Sequence, residues 1–136
     1  MDKMFTYYAI FYRLESGGFG VRFPDASSIH TSGRDLDEAL AMAIDALSGM
    51  LVVGRKGREY SAPSRYDAVK EQAAENELVF PVVPSESAME EYRPKKRVNV
   101  MVPVDLLERI DEHVKAISGM DRSRFFSEAA ERSLHS

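Results

Sequence analysis

The chain has 136 residues, 44% of them hydrophobic, and a net charge of −4, enough for one medium domain or two small ones and not the composition of a disordered chain. It has no cysteine, which excludes a disulfide framework, a thiol nucleophile and a cysteine-ligated zinc. No apolar run approaches the ~18 residues of a membrane span and no basic-then-apolar signal opens the chain, so a cytoplasmic protein without a membrane partner is expected.

The aromatic, β-favouring run from Phe5 to Leu14 predicts a first strand. Glu15-Ser16-Gly17-Gly18 predicts a turn, and Phe19-Gly20-Val21-Arg22-Phe23 a returning strand with Phe19, Val21 and Phe23 on one face. Ser28 to Thr31 adds a short third strand. Asp35, with Glu38 three residues on, predicts a capping box before a helix whose stripe is Leu36, Ala39, Leu40, Ala43, Ile44, Leu47 and Leu51. After the basic loop Arg55-Lys56-Gly57-Arg58, Ser64 is expected to cap a short helix reaching about Ala74. Leu78 to Val83 reads as a strand, and its internal Pro81 confines it to an edge or a bulge. Pro84 to Pro94 is polar and is expected to be a hinge. The expected division is therefore a domain over 1–84, a linker over 85–94 and a second domain over 95–136.

Lys95 to Val102 alternates, with Val98, Val100 and Val102 on one face and Arg97, Asn99 and Met101 on the other, and Pro103 stops it. A lone strand beside two helices leaves both backbone edges unpaired, and pairing with the same strand of a second chain removes that cost. The resulting two-stranded ribbon would rest on four helices and fit a DNA major groove. The first helix carries Leu107, Ile110, Val114 and Ile117, with Leu106 widening the stripe. Ser118-Gly119 ends it, and Asp121 caps a second helix whose inner stripe is Phe125, Phe126, Ala129, Ala130 and Leu134. Arg122, Ser123 and Arg124 fall in that helix's first turn, where free N–H groups favour a phosphate. Val98, Val100, Val102, Leu107, Ile110 and Phe126 are the expected dimer residues.

The chain is divided electrically as well. Residues 1–92 hold 9 Lys/Arg against 15 Asp/Glu, net −6, and residues 93–136 hold 9 against 7, net +2. A two-metal nuclease would need several converging carboxylates, yet the first strand has none between Met4 and Leu14. Asp25, Asp35, Asp37 and Glu38 suit a turn, a cap and a first helical turn instead. His30, His113 and His135 lie in different elements, so no catalytic or metal residue is assigned and no cofactor is implied. The stripe Phe5, Tyr7, Phe11 and Phe19 is read as core and partner surface rather than an RNA-stacking platform, because −6 opposes a polyanion.

Two resemblances follow from these residues. Residues 95 to 134 resemble a ribbon-helix-helix domain through the alternating strand, Pro103, the run Leu106-Leu107-Glu108-Arg109-Ile110-Asp111, and Gly119 followed by Asp121-Arg122-Ser123-Arg124-Phe125-Phe126. That resemblance implies base reading by Arg97, Asn99 and Met101, flanked by Lys95 and Lys96, and a phosphate clamp at Arg122 and Ser123. Met101 can touch a thymine methyl but cannot donate a hydrogen bond. Gly18 to Asp25, Thr31-Ser32-Gly33, Leu36 to Leu40 and Pro63-Ser64 resemble the HicB antitoxin pattern, a partial RNase H-like domain. Together the resemblances imply an α+β, dimeric, non-enzymatic antitoxin. It would neutralise a HicA-like mRNA-cleaving toxin and repress its own operon by binding operator DNA. Tetramers through the N-terminal sheet are left open. The alternative is a stand-alone ribbon-helix-helix regulator whose N-terminal domain senses a ligand or oligomerises.

Overall fold

The computed structural model describes residues 6–135, so Met1 to Phe5 and Ser136, including the expected strand position Phe5, lie outside the described residues. The chain divides into two compact units, residues 1–95 and 96–136.

The first unit is built on a four-stranded antiparallel sheet. β1 (Tyr7–Arg13) pairs with β2 (Phe19–Arg22), which pairs with β3 (His30–Gly33); β4 (Leu78–Val82) lies on the other side of β1, giving the order β3-β2-β1-β4. β4 is an edge, as Pro81 requires, with Pro81 opposite Tyr8. Tyr7, Ala9, Phe11, Val21, Phe23 and Val82 form the buried face under α1 (Leu36–Val53), which contributes Ala39, Ala43 and Leu47. The alanines let the helix sit close to the sheet. Phe11 meets Phe80 edge-on at 5.3 Å. On the opposite face α2 (Tyr66–Gln72) buries Val69, Ile10 is also fully buried, and Tyr66 stands edge-on to Tyr8 at 5.5 Å.

Local chemistry explains the joints. Gly33 ends β3 where a Cβ would strike the backbone of Ala39, so the third strand can pass directly beneath the first turn of α1. Asp35 caps that helix by accepting from the Glu38 N–H at 2.8 Å. Glu38 does not reach back to the Asp35 N–H as a regular capping box would; it accepts from the Arg34 N–H at 3.1 Å and from its guanidinium at 2.9 Å. Across the sheet, Arg22 holds Glu77 through two hydrogen bonds of 3.0 and 2.8 Å.

Two further expectations are corrected. Ser64 does not cap α2, whose N-cap is Arg65 with no side-chain bond. Its N–H and hydroxyl both donate to the Asp25 carboxylate at 2.7 Å, while the Asp25 carbonyl accepts from the Ser61 N–H at 2.8 Å. The Phe-Pro-Asp and Pro-Ser segments are thus one hydrogen-bonded joint, extended by the Tyr7 hydroxyl donating to the Ser61 carbonyl at 2.8 Å.

Nor is the 85–94 segment a hinge. It contains α3 (Glu86–Tyr92), capped by the Ser85 hydroxyl and packed on α1. The Ser85 N–H donates to the buried Ser48 hydroxyl at 2.9 Å, and the Tyr92 hydroxyl donates to Asp45 at 2.9 Å. The Tyr92 ring covers Gly49, where a Cβ would come within 2.9 Å of it. The polar residues that suggested a hinge are the solvent face of this helix, and the boundary between the units falls at Lys95–Lys96.

The second unit comprises an extended segment, α4 (Val104–Lys115) and α5 (Arg122–Leu134). Pro103 is the N-cap of α4, Gly119 takes a φ of +78°, and Asp121 caps α5 by accepting from the Arg124 N–H at 2.7 Å. Lys96 to Val102 forms no strand within the single chain. A strand there needs a neighbour for its backbone groups, and α4 and α5 offer none.

Candidate binding surfaces

The second unit is left open. Ile110 is buried, and Leu107, Val114, Phe125 and Ala129 are half-buried between the two helices. His113 adds an edge-on contact to Phe125 at 5.7 Å. Against this, Val98 is 72% exposed, Val100 73%, Phe126 39% and Leu134 85%, while Val102 is half-buried. Two short amphipathic helices leave part of their own apolar stripes uncovered, and Val98 and Val100 stay open to solvent in one chain.

Lys95, Lys96, Arg97, Asn99 and Met101 are all exposed, Met101 at 99%. Ser123 is exposed in the first turn of α5. Arg122 is differently placed from a waiting phosphate ligand. It forms a two-pronged ion pair with Asp111 of α4, both hydrogen bonds at 2.7 Å. The guanidinium holds the Asp111 carboxyl below its ordinary value, and Asp111 raises the arginine in turn. Sequence reading missed this pair, because it depends on how the Ser118–Met120 turn folds α5 back on α4.

Three of the four carboxylates considered for catalysis have other occupations. Asp25 holds Ser64, Asp35 caps α1 and Glu38 holds Arg34. Among the described residues, no group of three or more His, Asp or Glu side chains is placed to hold a metal ion. No helix among them is long and apolar enough to cross a membrane.

The chain thus combines a closed sheet-and-helix unit with a small unit that leaves apolar residues exposed. Residues 7–130 match the family described as HicB-like antitoxin of bacterial toxin–antitoxin systems. The chain belongs to the HicB-like antitoxin family, a family of non-enzymatic regulatory proteins. Among solved structures it is similar to a toxin–antitoxin complex from Streptococcus pneumoniae, at 18% identity and a TM-score of 0.53, covering 96% of this chain and 99% of that one. It also matches the antitoxin HicB of Burkholderia pseudomallei at 22% identity, 96% and 99% coverage and a TM-score of 0.46. The likeness to the first is one of fold. No curated protein sequence matches the chain.

Proposed function

We propose that the protein is a cytoplasmic antitoxin that binds and occludes a small basic HicA-like toxin through its first unit and represses its own operon through its second. The first unit is the partial RNase H-like domain of this reading. The second is a ribbon-helix-helix module in which Lys96 to Val102 pairs with its counterpart in a second chain. Val98, Val100, Val102, Leu107, Ile110 and Phe126 then become the dimer core. Arg97, Asn99 and Met101 face the major groove, Lys95 and Lys96 flank them, and Arg122 and Ser123 take a phosphate. Neutralisation needs no chemistry, since covering the toxin's active site suffices.

The observation that carries this reading is the contrast in closure: the first unit has a buried core, whereas the second exposes the alternating valines that a ribbon would bury. The test is co-expression of a fragment ending at Lys95 with the adjacent toxin gene, beside a mobility-shift titration of the whole chain on its own promoter. The fragment must include α3, because ending it at Ser85 would strip the helix whose Tyr92 covers Gly49 and bonds Asp45. Expected results are rescued growth from the fragment and promoter binding by the whole chain that Arg97→Ala weakens by about 1–3 kcal/mol. Growth arrest despite folded fragment would move the inhibitory surface out of the first unit.

A further inference from the structure

We infer that the cleft between the start of α1 and strand β4 is where the toxin docks, and that it receives a basic amphipathic helix. The inference rests on the antitoxin reading and adds the surface and the shape of the occupant. The cleft measures about 290 Å³ and is lined by Leu36, Asp37 and Leu40 of α1 with Phe80 and Pro81 of β4. Its walls are apolar except for one carboxylate.

Leu40 is the telling residue. It belongs to a helical stripe in which Ala39, Ala43 and Leu47 are fully buried and Leu36, Ile44 and Leu51 half-buried, yet it is 37% exposed and faces the cleft. Leu36 and Phe80 are half-buried beside it, so burying a partner's side chain here would complete a core that stops short.

Three observations choose the occupant. Pro81 survives in the sheet only where its missing N–H faces outward, which removes a donor from the free edge of β4 and disfavours an added strand. A helix that lays apolar anchors into the groove needs no such donor. A second copy of the first unit, which nets −4 over residues 1–95, would bring like charge to the contact. Asp37 on the rim has no hydrogen-bond or ion-pair partner among the described residues, in contrast to Asp35 and Glu38 beside it. An unpaired carboxylate on the lip of an apolar groove suits a lysine or arginine flanking the anchors.

The experiment measures binding of the whole chain to the purified product of the adjacent toxin gene by calorimetry, with sedimentation of each variant alone. Leu40→Lys puts a charge in the groove from a position that can still reach solvent, and should weaken binding at least about tenfold. Asp37→Lys should weaken it by about three- to tenfold and flatten its salt dependence. Glu71→Lys, the same change of charge on α2 at the opposite face of the sheet, should stay within about twofold. Asp37→Lys decides the matter if Leu40→Lys lowers the melting temperature. Unchanged affinity in both cleft variants overturns the docking site while leaving the antitoxin reading intact. Wild-type protein that fails to bind overturns both. A fall in sedimenting mass of Leu40→Lys with toxin affinity intact would make the cleft a contact between copies and overturn the inference.

Discussion

The two units solve the same problem, covering apolar surface, in opposite ways. The first closes its core between a sheet and α1, with Phe11, Phe23 and Leu47 fully buried, and uses α2 on the other face. The second has a single buried apolar residue among those described, Ile110, and carries Val98 and Val100 more than 70% exposed. A core that is complete in one chain makes stability independent of concentration. A core completed by a partner makes folding and association one event.

The largest effect should therefore come from the open unit. In the proposed ribbon, Val100→Asp places a charge in the core from both chains at once, and each buried valine lost is worth roughly 1.5–3 kcal/mol. Loss of the dimer and of promoter binding is expected, with the first unit's unfolding transition unchanged, by sedimentation and thermal denaturation. A dimer that persists would mean the association runs through other residues.

Phe11→Ala tests the closed unit. The ring is fully buried against Phe80, and its removal should cost about 3–5 kcal/mol. The shift should be the same at any protein concentration. Concentration dependence there would erase the contrast between the units.

What could be read in the sequence was local. The hairpin, the Asp35 cap and the edge strand at Pro81 each follow from residues within a few positions of one another. What could not be read depends on partners distant along the chain. Ser64 looks like a cap until Asp25 is beside it, and Glu86 to Tyr92 looks like a polar hinge until Ser48 and Gly49 supply its dock. Lys96 to Val102 is a third case: its alternation is visible, but it pairs with no strand among the described residues. The proposed DNA readers come from the ribbon-helix-helix resemblance, carried onto one face of that alternating run.

A smaller effect marks the closed unit's behaviour in acid. The Arg22 guanidinium, together with the Ala74 N–H, pulls the Glu77 carboxyl from 4.5 to about 2. A folded value below the unfolded one means the pair stabilises the fold fully above about pH 4.5 and is lost as pH falls toward 2. Both side chains still touch solvent, so screening leaves about 1 kcal/mol. Glu77→Gln should remove that part of the acid dependence in urea titrations at pH 5 and pH 3. An identical acid slope in the variant would place the sensitivity in another carboxylate.

The smallest expected effect concerns Arg122. In the free chain its guanidinium is already satisfied by Asp111, at two bonds of 2.7 Å, so a phosphate at the start of α5 must compete with a carboxylate. Because Arg122 holds Asp111 below its ordinary value, the carboxylate stays charged throughout the neutral range and the competition does not relax with pH there. The pair is exposed, and exposed pairs hold weakly, which makes the cost of exchange small. Asp111→Asn keeps the shape and removes the charge. It should tighten promoter binding by about two- to fivefold, most at low salt, whereas Arg122→Ala should weaken all sequences alike and reduce the salt slope. If Asp111→Asn instead weakens binding, the pair is a brace that sets the angle between α4 and α5, and Arg122 serves the DNA surface by positioning it rather than by touching phosphate.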